Sequence, residues 1–181
     1  MIMLILKSLY FFLPAYFANM TPVFAAKLFP KWDYPLDFYL KIESKRMLGD
    51  HKTIRGLVFG IAASVLICLI QYLLYTKYDA FRAFSLINYD LTTALSLGYL
   101  LGCGALFGDA LKSFIKRRID VQPGKPWMPF DQIDFSISGL LFAISYVPSA
   151  GVATIILLSS PILSVLSTKM GFYIKLRNEQ W

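Results

Sequence analysis

The sequence predicts an all-α protein that crosses a membrane several times. Of its 181 residues, 57% are hydrophobic and only 16% are charged, and the mean hydropathy is +0.57. Soluble domains carry about 25% charged residues, and disordered chains combine high charge with low hydrophobicity. Long apolar runs recur along the chain, and one spanning helix needs about 20 such residues. Roughly five spans would leave about 80 residues, so we expect a single membrane domain over residues 1–181 with no separate soluble domain.

The apolar runs divide into five predicted spans. Residues 133–168 are too long for one straight span, and Pro148, followed by Ser149 and Gly151, indicates a break near the middle. The predicted spans are residues 2–26, 56–75, 91–111, 133–147 and 151–168. The fourth is short, about 22 Å at about 1.5 Å per residue, so it would cross only part of a core about 30 Å thick or begin in a protein-lined cavity.

The first apolar run has an alternative interpretation as a cleaved signal peptide. Small residues at 24–26 resemble a cleavage site, and Pro14 and Pro22 interrupt the run. Against this, no charge precedes Lys7 and the run is long for the apolar region of a signal peptide. We therefore interpret the run as the first span.

The basic residues predict an orientation. The segment 27–55 carries seven Lys or Arg, the segment 112–134 carries five and the tail 169–181 carries three, which is fifteen of the eighteen in the chain. Cytoplasmic loops of membrane proteins are enriched in Lys and Arg. Five spans with the N-terminus outside place all three segments in the cytoplasm. The same rule accounts for the net charge of +7, so we expect no nucleic-acid partner.

Three aspartates flank the predicted spans on the cytoplasmic side. Asp109 lies near the end of the third span, and Asp131 and Asp134 stand three residues apart at the start of the fourth. Acids at membrane depth are costly, which favours a functional role. Carboxylates with a substrate phosphate suit Mg²⁺, so we predict a metal role for all three. The alternative is that Asp109 pairs with Lys112 while the other two cap a helix.

Basic and hydroxyl side chains surround these acids. If residues 108–118 form a helix that continues the third span, Asp109, Lys112 or Ser113, and Lys116 share one face. The two predicted cytoplasmic loops, 27–55 and 112–132, supply further cations that suit polyphosphate. The alternative for the first loop is positive-inside charge alone. The candidate anion-binding residues are Lys52, Thr53, Arg55, Lys112, Ser113, Lys116 and Arg117.

The run at 98–108 contains Gly98, Gly102, Gly104 and Gly108. Its last part superficially resembles a phosphate-binding loop, but Asp109 stands where that motif requires Lys. We interpret the glycines as a helix face that lets a neighbouring backbone or a lipid chain approach closely.

These residues resemble a known family. The signature of CTP-dependent phosphatidate cytidylyltransferases is similar to Gly108-Asp109, Ser113, Lys116-Arg117, Pro123-Gly124 and Asp131-Gln132-Ile133-Asp134. The loop Leu48-Gly49-x-x-Lys52-Thr53-x-Arg55-Gly56 and the small size resemble its archaeal branch, the CDP-archaeol synthases. The chain departs from the wider family over residues 118–130, where Arg118-Ile119-Asp120 and Pro126-Trp127-Met128-Pro129-Phe130 replace the usual residues.

The resemblance implies transfer of CMP from CTP to 2,3-bis-(O-geranylgeranyl)-glycerol 1-phosphate, giving CDP-archaeol and pyrophosphate with Mg²⁺. It implies that Asp109, Asp131 and Asp134 hold the metal and that Lys116 belongs with them in the catalytic site. The expected partners are CTP, an isoprenoid ether-lipid phosphate and the lipid bilayer. We expect a multi-pass protein of the cell membrane with its active site facing the cytoplasm. The alternative is a small membrane transporter or a lipid-binding subunit without catalysis, which the break at Pro148 also fits.

Overall fold

A computed structural model describes residues 1–42, 44–122, 125 and 127–173, and these residues are mainly helical. The chain between the first two long helices also forms a small antiparallel hairpin. The helices are α1 (Ile2–Leu28), α2 (Ile54–Lys77), α3 (Asp79–Phe84), α4 (Leu91–Arg118), α5 (Phe130–Phe142) and α6 (Ala150–Tyr173), with a 3-10 turn at Ile144–Tyr146 and strands β1 (Lys41–Ile42) and β2 (Lys45–Arg46).

Four helices, α1, α2, α4 and α6, are long and apolar enough to cross a membrane among the residues that the structure describes. The all-α, multi-pass prediction is therefore confirmed. Each long helix extends beyond its predicted span, and α4 continues to Arg118, past Lys116 as expected. The predicted fourth span is instead the 13-residue helix α5, which begins at Phe130 and ends at Phe142. At about 1.5 Å per residue it is about 20 Å long, too short to cross the core by itself.

The chain breaks between α5 and α6 at a stretch that includes Pro148, as predicted, but α5 ends at Phe142, before the predicted end of the fourth span. After α5 come the 3-10 turn and an extended stretch at Val147, and α6 starts at Ala150, two residues after Pro148. Proline disfavours helical geometry in the residue before it, which accounts for this position. Because α6 then returns along α5 and α1, the break makes α5 part of the bundle.

Helix α1 belongs to the core of the bundle. Phe11, Phe12, Ala15 and Ala18 are all buried, and Phe12 lies against Phe135 of α5 with ring centroids 6.4 Å apart. Within a membrane, such aromatic and small side chains hold neighbouring helices together by close van der Waals packing. This packing favours the interpretation of the first run as a retained span.

Polar caps set the starts of two long helices. The Thr53 side chain accepts a hydrogen bond from the Gly56 amide at the start of α2, at 3.2 Å. The Asp90 side chain accepts one from the Thr93 amide at the start of α4, at 2.6 Å. Each cap satisfies a backbone donor that the first helical turn leaves free, typically contributing about 1 kcal/mol.

Helix α4 is the centre of the bundle, and its glycines allow two neighbours to come close. A Cβ at Gly98 would lie 2.7 Å from the Cα of Val65 in α2. On another face of α4, a Cβ at Gly104 would lie 2.6 Å from the carbonyl oxygen of Ser138 in α5, and one at Gly108 would meet the Asp134 carbonyl. The predicted close-packing glycine face is confirmed, and it serves two helices.

Some sequence-based expectations fall on residues that the structure does not describe. Pro123 and Gly124 of the family pattern, and Pro126, lie outside the described residues. So do Lys175 and Arg177, two of the tail cations used for the orientation.

We expect the substitution Gly104→Ala to destabilise the α4–α5 contact. Its methyl group would clash with backbone atoms of Ser138 and Gly139, which cannot move as a flexible side-chain end can. Overpacking of this kind typically costs about 1–3 kcal/mol, so the unfolding temperature in detergent should fall by several degrees. Gly151→Ala is the matched control, because its methyl group would meet only Ser149 Oγ, at an ordinary 3.7 Å. Equal unfolding temperatures for the two variants would contradict the close contact.

Candidate active site

Three carboxylates converge on the ammonium group of Lys112. The Lys112 Nζ lies 3.0 Å from Asp109 Oδ1, 3.4 Å from Asp131 Oδ1 and 2.9 Å from Asp134 Oδ2. The Lys112 side chain is 14% exposed and that of Asp134 is 9% exposed. Charges in such partly buried surroundings interact more strongly than surface pairs do. We call Asp109, Lys112, Asp131 and Asp134, together with Lys52 and Lys116, the carboxylate–lysine cluster.

Helical spacing and helix contact together produce this convergence. Asp109 and Lys112 are three residues apart on α4, and Asp131 and Asp134 are three residues apart on α5, so each pair shares a face. The close approach at Gly108, against the Asp134 carbonyl, brings those two faces together. The sequence-based grouping of the three aspartates is therefore seen in the structure, and so is the alternative pairing of Asp109 with Lys112.

Lys116 also forms an ion pair with Asp131. Its Nζ is 3.1 Å from both carboxylate oxygens of Asp131 and donates to the carbonyl oxygen of Lys125 at 2.6 Å. The backbone amide of Trp127 also donates to Asp131. The segment before α5, which departs from the family pattern, thus supplies backbone groups to the cluster. Sequence reasoning missed these contacts, because a backbone donor leaves no mark on residue identity.

Lys52 joins the cluster from the first loop. Its Nζ forms an ion pair with Asp109 Oδ2, although 57 residues separate the two. Lys52 is therefore the predicted anion-binding residue of this loop that reaches the acids. With Lys112 and Lys116 it gives three ammonium groups for three carboxylates, so the cluster is balanced in formal charge.

Thr53 and Arg55 are engaged elsewhere. The Thr53 hydroxyl caps α2. The Arg55 side chain, 6% exposed, donates to the carbonyl oxygen of Phe29 at 2.6 Å and to Asp33 Oδ1 at 3.1 Å. Neither forms a hydrogen bond or ion pair with the three aspartates in the described part of the chain. Both residues hold the start of α2 in this structure, and their predicted contact with phosphate stays a prediction.

Ser113 and Arg117 lie one residue beyond Lys112 and Lys116 on α4, and both are half-buried. The side chain of Arg117 borders a surface pocket of about 210 Å³, which Lys45 and Asp120 also line. The buried Nε of Arg117 has no hydrogen-bond partner among the described residues. The structure therefore places both residues beside the cluster without joining them to its carboxylates.

The donor set fits Mg²⁺ only when part of the coordination comes from a ligand. Within the described residues, no three His, Cys, Asp or Glu side chains form a ready-made metal site. The Lys112 ammonium lies where the carboxylates converge, and Asp134 Oδ2 lies 2.9 Å from that ammonium. Mg²⁺ is commonly held by one or two carboxylates together with waters and substrate phosphates. The carboxylates suit a cation that enters with a polyphosphate.

Comparisons with known proteins identify the family of the chain. The family model described as CarS-like, CDP-archaeol synthase, matches residues 1–181. The chain is 34% identical to the CDP-archaeol synthase of Thermofilum pendens, over 97% of this chain and 80% of that protein. It is 33% identical to that of Pyrococcus furiosus, over 98% of both chains, and 35% identical to that of Methanococcus maripaludis, over 100% and 99%.

A solved structure supports the same relationship. It is that of an intramembrane enzyme for archaeal membrane lipids biosynthesis, with a TM-score of 0.73 and 28% sequence identity. The match covers 90% of this chain and 93% of that one. With a family model that spans the whole chain, relatives above 30% identity and a matching fold, the chain belongs to the CDP-archaeol synthase family.

Proposed function

We propose that this protein transfers CMP from CTP to 2,3-bis-(O-geranylgeranyl)-glycerol 1-phosphate at the carboxylate–lysine cluster. Family membership supports a CTP-dependent cytidylyltransferase of archaeal lipid biosynthesis. The observation that carries the site is the convergence of Asp109, Asp131 and Asp134 around Lys112, at one end of a bundle of membrane-spanning helices. Such a place can receive a water-soluble nucleotide and a lipid together.

The reaction asks for positioning and charge neutralisation more than for proton transfer. A phosphate oxygen of the lipid attacks the α-phosphorus of CTP, and a new P–O bond forms as the bond from the α-phosphorus to the bridging oxygen breaks. Pyrophosphate leaves with that electron pair. A lipid phosphate monoester is already ionised near neutral pH, so no general base is needed to create the nucleophile. The site must hold two anions in line and stabilise the charge that develops.

The lysines of the cluster are suited to this task. Lys52 comes from the first loop, Lys112 and Lys116 come from one face of α4, and each already binds a carboxylate. When phosphate groups arrive, the same ammonium groups can donate to phosphate oxygens. Arg117 and Ser113, beside the cluster, would add one guanidinium and one hydroxyl donor. All of these groups favour the anionic leaving pyrophosphate.

The aspartates would hold Mg²⁺ together with the nucleotide. Asp109, Asp131 and Asp134 are the residues that we assign to it, with the substrate phosphates completing the coordination. When bound, Mg²⁺ would neutralise phosphate charge and favour departure of pyrophosphate. Until then the lysines compensate the carboxylates, so the site carries no uncompensated buried charge.

The lipid tails would lie against the helices in the bilayer, and the cluster would face the cytoplasm. The exposed apolar side chains of the four long helices suit contact with isoprenoid chains. The orientation rests on the concentration of Lys and Arg in the segments that carry the cluster.

The first prediction of the proposed function is transfer of label from α-labelled CTP into an organic-extractable product by the purified full chain with Mg²⁺ and the geranylgeranyl ether-lipid phosphate. EDTA should abolish the transfer, and UTP should replace CTP poorly. Binding of CTP without label in any lipid, from folded protein and with phosphatidic acid also tested, would favour the transporter or lipid-binding alternative.

The second prediction concerns Asp134. We expect Asp134→Asn to lower the turnover number by at least about 100-fold, because the site loses a charge that it needs to hold the cation and the phosphates. The folded state should persist, as judged by the elution volume in detergent and the helical circular dichroism. Asp79→Asn is the control, because the Asp79 side chain is 94% exposed and forms an ion pair with Arg82 on α3. Near-normal turnover of Asp134→Asn would remove Asp134 from the proposed metal site.

The third prediction tests the carboxylates as metal ligands without using activity. Lys112→Gln removes the ammonium that the three aspartates share, so the variant should unfold at a lower temperature than the wild type in EDTA. Added Mg²⁺ should raise its unfolding temperature more than that of the wild type, because the cation replaces the lost charge. At about tenfold above the dissociation constant, linkage gives about 1.4 kcal/mol.

The control for this experiment is Lys77→Gln. Lys77 is exposed and lies at the C-terminal end of α2, whereas Lys52 of the cluster lies just before its N-terminal end. Its response to Mg²⁺ should equal that of the wild type. Equal responses of Lys112→Gln and the wild type would show that the three carboxylates do not bind Mg²⁺.

A further inference from the structure

Asp37 is a buried acid that the proposed chemistry does not use. It lies in the loop between α1 and α2, yet its side chain is 0% exposed. Burying a carboxylate is costly unless cations and hydrogen-bond donors replace the lost water. An acid held this way in a loop requires an explanation, and its contacts provide one.

The Asp37 carboxylate binds five donors from its own loop. Arg46 donates from Nη2 at 2.8 Å and from Nε at 3.3 Å, as a planar guanidinium can. The backbone amides of Leu48, Gly49 and Tyr39 donate at 2.9, 3.3 and 3.2 Å. The carboxylate therefore gathers residues on both sides of the β1–β2 hairpin to one point.

The same contacts keep this carboxylate charged. Burial by itself raises the pKa of Asp37, but Arg46 and the three amides outweigh it and lower the pKa from 3.8 to about 2. The stabilisation from these bonds is therefore fully present above pH 3.8 and is lost as the pH falls through about 2. The Asp37 carboxylate therefore keeps its hydrogen bonds throughout the neutral pH range.

The gathered loop leads directly to Lys52. The Leu36 amide donates to the Lys52 carbonyl at 2.6 Å, and the Ile54 amide donates to the Tyr34 carbonyl at 3.0 Å. The Lys52 amide donates to the Gly49 carbonyl at 3.3 Å. The backbone of Lys52 is thus fixed to the chain just before Asp37 and to the turn that Asp37 holds. Its side chain then reaches Asp109 from a rigid base.

A second set of hydrogen bonds holds the hairpin against α4, the helix that carries Asp109. Arg118, near the end of α4, donates to the carbonyl oxygens of Ile42, Lys45 and Arg46 at 2.7, 3.3 and 3.0 Å. The loop is therefore organised from within by Asp37 and docked from outside by Arg118. The contacts of Asp37 and of Arg118 do not involve the carboxylates of the cluster, and together they determine the position of the loop relative to α4.

We infer that Asp37 is a positioning residue for cytidylyl transfer, acting by presenting Lys52 to the carboxylate–lysine cluster. This inference rests on the proposed function. A lysine side chain has many rotamers, and a loose loop would spread its ammonium over many positions. Misplacement of a substrate-positioning group by about 1 Å can cost about 100-fold in rate. Asp37 limits that spread although it touches no substrate.

Acting through Lys52 has a consequence that a purely structural role lacks. If Asp37 matters because it positions Lys52, its loss has no further effect once Lys52 has lost its ammonium. The two substitutions must then be non-additive, as coupled residues are. A residue that merely stabilises the fold would add its own loss in either background.

The experiment is a double-mutant cycle with the full chain in detergent: Asp37→Asn, Lys52→Ala and the double variant, with initial rates measured over a range of CTP concentrations. We expect Asp37→Asn to lower kcat/KM for CTP by about 10- to 100-fold, with most of the change in KM. Lys52→Ala should lose at least as much. The double variant should match Lys52→Ala within about twofold.

Asp50→Asn is the matched control. Asp50 lies in the same loop and also binds Arg46, at 2.8 Å, but its side chain is 77% exposed. It should keep nearly full kcat/KM. If Asp37→Asn does not fold, Arg118→Gln replaces it in the cycle, because Arg118 holds the same hairpin from α4 through backbone carbonyl groups.

Three results would overturn the inference. In the first, the losses of kcat/KM in Asp37→Asn (or its substitute) and in Lys52→Ala multiply in the double variant. In the second, Asp37→Asn keeps normal kinetics. Lys52→Ala could also keep normal kinetics, which would remove Lys52 from the site and with it any role of Asp37 through Lys52. An inactive wild type would instead show that the proposed reaction itself is wrong, so the two failures are distinguishable.

Discussion

The close contact between α4 and α5 brings the carboxylate–lysine cluster together. At Gly104 and Gly108 the two helices are so near that a single methyl group would strike the backbone of α5. Larger side chains would hold the helices apart and would separate Asp134 from Lys112, which are 2.9 Å apart. Glycine costs about 1 kcal/mol in a helix relative to alanine. The cost is offset by a contact that builds both the bundle and the cluster.

The charges of the cluster explain how acids can persist at the end of a membrane-embedded bundle. Each carboxylate has at least one ammonium partner, and Lys112 serves all three. Partly buried carboxylates without such partners would favour protonation or a spread of the helices. Under the proposed function, a lysine that leaves a carboxylate would bind phosphate while a divalent cation takes its place.

Helical periodicity made much of this predictable. The grouping of Asp109, Asp131 and Asp134 followed from two i, i+3 pairs and their position beside predicted spans, and the structure brings them together. The length of α5 and the backbone contacts of residues 125–127 were less accessible. Hydropathy reports apolar length but not where a 3-10 turn replaces a helix, and a backbone amide has no sequence signature. The role of Asp37 could not be predicted for a related reason, because its partners Arg46, Leu48 and Gly49 meet only when the loop folds.

The motif at residues 52–56 shows how one short stretch can serve both fold and site. Lys52 points back to Asp109, Thr53 caps α2, and Arg55 fastens the helix start to the end of α1 through Phe29. A Cβ at Gly56 would lie 3.1 Å from the Pro22 side chain of α1, so glycine there permits close approach of the two helices. Thr53, Arg55 and Gly56 fix the first turn of α2, and they thereby fix the direction of the Lys52 side chain. Within this stretch, Lys52 reaches the carboxylate–lysine cluster, and Thr53, Arg55 and Gly56 hold the start of α2 beside it.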